Sequence, residues 1–469
     1  MTQTKTRQWR IRMGEWRMLM LIGDAVASVA ATLAALVLWS NLDYLGFSWE
    51  FIRSRAGWFV WLPLLWMLLL SNIHDIRRGG SWRETIRGVF LTGFIGGILY
   101  LLVYFSSAPG TLPRRGILYF LLMVILFTLI WRRFYISVFN APQFMRRTMI
   151  VGAGYGGQDF LDVLQQVEPP PFDTIGLIDD DQEKQGKSIR GVEVIGTSDD
   201  LLALTEEEDV SDIIVAIQGE MNGQMFQTLL DAQERGLQIT RMPVAYEQLL
   251  GRVPINHLAS DWVLRNFVDE IQISTFYSLI KRGMDILGGL VGLLIVALLF
   301  PWVAIATLIE TGRPIVFFQT RLGKGGREFG LIKFRTMRQD AEADGKAHWA
   351  EKQDPRVTAV GKFLRKTHVD EFPQFLNVLR GDMSLVGPRP ERPELVRELE
   401  KQIPFYRARL LVKPGATGWA QVNYGKGASI EGSAEKLEYD LYYIKHRNLL
   451  LDLNILLRTI GSIFGLRGV

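Results

Sequence analysis

Four apolar stretches, at about 18–39, 56–71, 89–105 and 116–131, crowd the first 140 residues and are separated only by short polar loops. A helix needs about 20 residues to cross a bilayer core, so the first crosses unaided, while the others recruit flanking Trp and snorkelling Arg. Trp39, Trp58, Trp61 and Trp131 stand near the ends of the stretches, where indoles favour the membrane interface. The pattern predicts a four-helix transmembrane bundle over 1–145 rather than a buried soluble one. Composition agrees, since 48% of residues are hydrophobic and the mean hydropathy is +0.12, high for a soluble enzyme and low for an all-membrane transporter. At 469 residues the chain has room for about three domains.

Basic residues give the orientation. Lys5, Arg7, Arg10, Arg12 and Arg17 precede the first stretch, Arg77, Arg78, Arg83 and Arg87 fill the second loop, and Arg132, Arg133, Arg146 and Arg147 follow the fourth. The positive-inside rule puts all three places in the cytoplasm, against a weaker outer set of Arg53, Arg55, Arg114 and Arg115. Everything beyond about residue 140 is then cytoplasmic, and the long basic leader without a small-residue cleavage site does not read as a signal peptide. Asp24, inside the first stretch, is expected to make a polar contact between helices. A net charge of +4 from 53 basic and 49 acidic residues disfavours a nucleic-acid partner, and the absence of Cys excludes disulfides, thiolate metal sites and cysteine nucleophiles.

Between 146 and 270, short strand patterns at 148–152, 174–178, 192–195, 212–217 and 237–242 alternate with helices near Leu201 and Met225. This predicts a doubly wound parallel sheet of the Rossmann-like α/β class. Gly152, Gly154 and Gly157 form a G-x-G-x-x-G turn between strand and helix, where backbone can approach a pyrophosphate. Asp179, ending the second strand, is placed for a ribose hydroxyl, so a dinucleotide or a nucleotide-sugar is the expected cofactor or ligand. Tyr277 and Lys281 have the Tyr-x-x-x-Lys spacing of an oxidoreductase acid/base pair, but lead straight into an apolar segment.

That segment runs 24 residues without a charge, from Ile286 to Ile309. A straight helix of this length spans about 36 Å, enough for a fifth crossing. Pro301 lies within it, lacks an amide donor and clashes with the carbonyl of Ala297, which predicts a bend near Phe300 and a re-entrant helix over 281–310. Lys281 and Arg282 at its foot suit lipid phosphates. Next, Arg313, Arg321, Lys324, Arg327, Lys333, Arg335 and Arg338 face the single acid Glu328, a patch for a phosphate substrate or for anionic lipid. Residues 369–381 read as a helix that Asp370 can cap, with Glu371 in its first turn, Phe372, Phe375, Leu376 and Leu379 on one face, and Gly381 as its stop. The helix dipole, Arg365, Lys366 and Arg389 are expected to lower both carboxyl pKa values, leaving Asp370 a nucleophile and Glu371 a ligand for a hard cation.

Six ordered motifs then define a resemblance: Lys281-Arg282-x-x-Asp285, the stretch from Pro314 through Arg321 to Gly323, Lys333-Phe-Arg335-Thr-Met337, Asp370-Glu371-x-Pro-Gln374, Gly387-Pro-Arg-Pro390 and Lys413-Pro-Gly-x-Thr-Gly-Trp-Ala-Gln-Val422. Over roughly 278–462 the chain resembles the bacterial sugar transferases, monotopic polyprenyl-phosphate hexose-1-phosphate transferases of the bacterial inner membrane. The bundle and sheet in front resemble the long form that starts exopolysaccharide or O-antigen repeats. The resemblance implies that Asp370 attacks the β-phosphorus of a UDP-sugar, expels UMP and passes the sugar phosphate, galactose or glucose, to undecaprenyl phosphate. It also implies Mg²⁺ on Glu371 beside Asp370, phosphate oxygens on Arg365 and Arg389, and a lipid-phosphate role for Lys281, Arg282 and Asp285. Arg321, Lys333, Arg335 and Lys413 join the substrate-binding set through their motifs.

Two departures stand out. Compact relatives bend at Ser-Pro where this chain has Phe300-Pro301, and many relatives continue Asn-Gly-Arg where it has Asn423-Tyr424-Gly425-Lys426. The expected class is thus a membrane protein of α plus α/β type, with a mainly helical catalytic domain over 271–469, membrane-lipid contact and a homodimeric state. A membrane-attached NAD-dependent oxidoreductase and a noncatalytic ligand-sensing scaffold are the alternatives.

Overall fold

In a computed structural model of the chain, residues 13–43, 46–70, 81–106, 114–139, 146–167, 170, 172–258, 274–338, 354–425 and 429–463 are described. They divide into two compact units, Met1–Ala245 and Tyr246–Val469. Lys5, Arg7, Arg10, Arg12, Arg77, Arg78 and Lys426, used above, lie outside the described residues.

The first unit opens with helices α1 (Met13–Leu42), α2 (Trp49–Phe59), α3 (Trp61–Leu70), α4 (Trp82–Ser106) and α5 (Arg114–Phe139). The second predicted stretch is not one continuous helix, because it breaks between Phe59 and Trp61. Pro63 explains the break: it cannot donate to the carbonyl of Phe59 four residues earlier, and its ring would clash there. Within this unit 25-, 24- and 25-residue segments of α1, α4 and α5 are long and apolar enough to cross a membrane. Inside the bundle Ala31, Ala35, Trp39, Trp66, Val89 and Val124 form a core. Outside, Leu118, Leu122, Leu126, Ile130 and Phe134 repeat every four residues along α5 and are all exposed. A surface as apolar as the interior suits lipid rather than water. Asp24 finds its polar contact in Arg132 of α5, which donates through Nε (3.0 Å) and Nη2 (2.6 Å) to its two oxygens with both side chains fully buried.

The rest of this unit is a six-stranded sheet made of β1 (Arg146–Val151), β2 (Phe172–Ile178), β3 (Ser188–Ile189), β4 (Val192–Gly196), β5 (Asp212–Val215) and β6 (Gln238–Arg241), in the order β3-β4-β2-β1-β5-β6. All neighbours are parallel except β3 with β4. Helices α6 (Tyr155–Gln166), α7 (Leu201–Glu207) and α8 (Gly223–Glu234) supply the crossovers. Met149, Val151, Ile178, Ile213, Leu229 and Ala232 fill the core, so the strand and helix patterns read from sequence hold at each place. Helix α9 (Met242–Leu250) carries the chain onward.

The second unit starts at Tyr246. The reason is packing: Val253 and Ile255 are buried with Trp419, Leu437 and Ile444, and the Val253 N–H donates to the carbonyl of Glu438. Next comes α10 (Thr275–Thr311), one continuous helix with Pro301 inside it. One face of α10 docks on its own unit. A β-carbon on Gly289 would meet Leu379 at 2.7 Å and one on Gly292 would meet Phe375 at 2.3 Å, so only glycine lets the helix come this close. Further along, Val303 packs with Phe334 and Leu364. On the opposite face Leu287, Leu290, Leu294, Leu298, Trp302, Ile305 and Ile309 form an exposed helical stripe.

Beyond it, β7 (Val316–Leu322) and β8 (Glu328–Phe334) make an antiparallel hairpin, followed by α11 (Ala359–Thr367), a 3₁₀ turn over Val369–Gln374 and α12 (Phe375–Arg380). Strand β9 (Ser384–Val386) pairs in parallel with β10 (Gly415–Thr417), with α13 (Pro393–Leu399) and a 3₁₀ turn over Tyr406–Leu411 between them. Helices α14 (Trp419–Asn423), α15 (Ile430–His446) and α16 (Leu449–Ile463) complete the described chain.

Candidate active site

Asp370 does not cap a helix. His368, in the left-handed region at φ 58°, closes α11 and opens the 3₁₀ turn, so Asp370 and Glu371 lie inside that turn. Pro373 is accommodated in the same turn, and α12 ends at Gly381 with φ 91°. The turn is fixed against the hairpin by the fully buried Asn377, whose Oδ1 accepts from Ile332 N–H (3.1 Å) while Nδ2 donates to the carbonyl of Gly330 (2.8 Å).

Three elements bring cations to the carboxylates. Lys333 of β8 donates to Glu371 Oε1 at 2.9 Å, and Arg389, in the turn after β9, donates through Nη2 to Oε1 at 2.6 Å and through Nη1 to Oε2 at 3.4 Å. Burial opposes ionisation of Glu371, but the charges of Arg389 and Lys333 outweigh it and hold the carboxyl far below the usual range. Lys333 is pushed down, chiefly by burial. Arg389 is pushed up by Glu371.

Asp370 differs. It is 8% exposed, and its carboxylate accepts no hydrogen bond from a described residue. Burial and then the charge of Glu371 raise its pKa, against the lowering pull of Lys333, Arg365 and Arg389. The dipole argument from sequence therefore has the wrong sign for Asp370, because desolvation in the closed turn dominates. Arg365 adds its charge from the last turn of α11, where its Nε donates to Thr336 Oγ1 at 3.0 Å. Among the described residues no group of three metal-binding side chains gathers. Two adjacent carboxylates still fit Mg²⁺, which commonly takes one or two carboxylates and completes its shell with substrate phosphates.

Other residues singled out from sequence are used as internal braces. Lys281 donates to Asp452 Oδ2 (2.9 Å), Tyr443 Oη (3.1 Å) and the carbonyl of Val386 (3.1 Å). Arg282 caps α12 by donating to the carbonyls of Val378 (2.8 Å) and Leu379 (2.7 Å), and Asp285 accepts from Ser384 Oγ and Leu385 N–H, both at 2.8 Å. Arg335 closes the end of α10 through Thr311, Gly312 and Arg313. Arg321 donates to the carbonyl of Pro390 (3.1 Å) and is pushed down by burial to about 10. Lys413 is half-buried beside Gly381, and desolvation lowers its pKa. Tyr277 also donates to Asp452 (2.9 Å), so the Tyr-x-x-x-Lys spacing serves one buried carboxylate of the second unit rather than a nicotinamide site.

In the sheet of the first unit, a β-carbon on Gly157 would sit 2.1 Å from the carbonyl of Gly152, the close approach that the glycine pattern demands. Asp179 is already engaged: its Oδ2 accepts from Ala153 N–H (2.7 Å), its Oδ1 from Asp181 N–H (3.0 Å), and Lys184 lies 3.2 Å away. Burial raises its pKa, but these hydrogen bonds and Lys184 outweigh it and hold the carboxyl below its usual value.

The turn thus sets the buried Asp370 beside a second carboxylate, Glu371, that Lys333 and Arg389 grip. The bacterial sugar transferase family matches residues 276–465, and a CoA-binding domain family matches residues 70–243. The chain belongs to the bacterial sugar transferase family. It is 30% identical over 342 residues to the UDP-galactose-lipid carrier transferase of Erwinia amylovora, covering 68% of each. It is 45% identical over 224 residues to the UDP-N-acetylgalactosamine-undecaprenyl-phosphate N-acetylgalactosaminephosphotransferase of Aeromonas hydrophila, covering 47% of this chain and 52% of that one, so the match spans about half of that relative's length. With the UDP-glucose:undecaprenyl-phosphate glucose-1-phosphate transferase of Escherichia coli K12 it shares 40% identity over 193 residues, 41% of each chain.

Sequence reading did not find Thr336, Asn377, Arg409, Asp440 or Asp452. Each has at least one partner 29 or more residues away in the chain, a spacing that no local pattern marks.

Proposed function

We propose that the second unit transfers a sugar 1-phosphate from a UDP-sugar to undecaprenyl phosphate. The observation that carries this reading is the contrast within one turn, where Asp370 has no hydrogen-bond donor among the described residues and Glu371 has two cationic ones. The Asp370 carboxylate attacks the phosphorus that bears the sugar. An aspartyl–phosphorus bond forms, the diphosphate P–O bond breaks, and its electron pair leaves on the phosphate of UMP. An oxygen of undecaprenyl phosphate then attacks the same phosphorus and releases Asp370 as carboxylate, giving undecaprenyl diphosphate sugar. Arg389 and Arg365 spread the phosphoryl charge in both halves, and splitting one transfer into two eases each. Mg²⁺, held by Glu371 and Asp370, would neutralise charge on the diphosphate.

Both ends of α10 are tied to the same unit, Lys281 to Asp452 and Asp285 to Ser384 at one end, Arg335 to Thr311 and Glu310 to the N–H groups of Ala359 and Val360 at the other. This supports a helix that dips into the cytoplasmic leaflet and returns, with its bare stripe in lipid. The first-unit bundle would cross the membrane and leave the sheet cytoplasmic, where its glycine turn would take a nucleotide.

The test is UMP release by detergent-purified protein with Mg²⁺, undecaprenyl phosphate and UDP-galactose, UDP-glucose or UDP-N-acetylgalactosamine. Lipid-dependent release that disappears in Asp370→Asn supports the reading and identifies the sugar. Release that persists in Asp370→Asn removes the covalent step. A folded protein inactive on every sugar removes the transferase assignment.

A further inference from the structure

The turn that presents Arg389 carries prolines at 388 and 390, so two of its residues have no N–H with which to hold the loop together. It is held by its carbonyls instead, and four consecutive ones are captured. Gly415 N–H donates to Pro388 (2.9 Å), Arg409 Nη2 to Arg389 (3.0 Å), Arg321 Nη1 to Pro390 (3.1 Å) and Leu322 N–H to Glu391 (3.0 Å). The Arg389 side chain is 48% exposed and its tip is held by Glu371 at 2.6 Å, so its direction is set from two ends, the ion pair at the guanidinium and the backbone below.

Arg409 is the grip directly under that side chain. It is 6% exposed, and its guanidinium has a separate donor direction for each partner, Asp440 Oδ2 at 2.9 Å, Tyr406 Oη at 2.7 Å and the Arg389 carbonyl. Asp440 is 2% exposed on α15, and Glu391 lies 3.8 Å from Arg409 on the other side. A planar fork can satisfy a carboxylate and a carbonyl together, whereas an ammonium is a point charge that must choose.

We propose that Arg409, seated on Asp440, is a positioning residue that aims Arg389 at the transferred phosphoryl group by holding the Arg389 carbonyl. The inference rests on the reading above, in which Arg389 meets phosphate. Arg409 touches no substrate, so its effect passes through Arg389.

The experiment is a double-mutant cycle in the full-length protein, with UMP release and thermal unfolding measured for Arg409→Lys, Arg389→Ala and the double variant. Arg409→Lys lowers kcat/KM roughly 10- to 100-fold, the scale of a misplacement of about 1 Å. In the Arg389→Ala background the same change costs no more than about twofold. Full additivity, or near wild-type activity in Arg409→Lys, overturns the proposal. If Arg409→Lys does not fold, Asp440→Asn keeps the shape, loosens the seat and runs through the same cycle with the same outcomes. Loss of the parent reading is separately visible, because Arg389→Ala alone would then retain its rate.

Discussion

Lys281 and Asp452 are 171 residues apart in the chain and 2.9 Å apart in the fold. This contact fastens the foot of the apolar helix α10 to α16, and through the carbonyl of Val386 it reaches the strand that leads into the Arg389 turn. Asp452 is 1% exposed, so removal of its cation leaves a carboxylate in the interior. Lys281→Ala is expected to destabilise the protein by about 3–5 kcal/mol. Thermal unfolding in detergent should show a large drop, and Asp452→Asn combined with Lys281→Ala should recover part of it.

Gly292 lies directly under the Phe375 ring. Gly292→Val should cost about 1–3 kcal/mol by overpacking and should weaken the docking of α10. Gly283 in the same helix faces open space, so Gly283→Ala should be neutral or stabilise by up to about 1 kcal/mol through helix propensity. Equal effects at the two glycines in a melting experiment would remove the close-approach argument.

The pH profile should show the raised pKa of Asp370. A nucleophilic carboxylate must be ionised, and a pKa above the ordinary value of about 3.9 means that charge is lost sooner as pH falls. The acid limb of kcat/KM should therefore lie above that of an ordinary aspartate. Glu371→Gln removes a like charge and frees Lys333 and Arg389, so the residual activity should have its acid limb at lower pH. A limb that does not move would separate Glu371 from the titration.

Because the chain has no cysteine, single-cysteine labelling needs no background engineering. Ser278→Cys and Arg313→Cys flank the two ends of α10, and a membrane-impermeant maleimide should reach both from the same side of sealed vesicles. Labelling from opposite sides would replace the dip with a crossing.

Local patterns carried much of this architecture. Strand and helix periods in the sheet depend on neighbours two to four residues away, and the Asp370-Glu371 pair with Lys333 and Arg389 stood out through short motifs. Pro63 was equally visible and breaks the second stretch, whereas the helix continues through Pro301. What could not be read was the destination of charges. Lys281, Arg282 and Asp285 read as lipid-phosphate residues from their motif, and in the fold Lys281 and Arg282 also donate to a carboxylate and to carbonyls while Asp285 accepts from Ser384 Oγ and Leu385 N–H, partners about 100 to 171 residues away. The pKa direction of Asp370 failed for a related reason, since burial is a property of the closed turn and not of its flanking sequence.

The bare stripe on α10 also bears on how this protein can be handled. Seven large apolar side chains from Leu287 to Ile309 belong to the second unit itself, which owns both the stripe and the carboxylate pair. Cutting away the first 245 residues would thus not yield a water-soluble enzyme. The remaining polypeptide would still carry that stripe into micelles or bilayers, and under the proposed reaction it would meet a lipid acceptor by diffusing in the same plane.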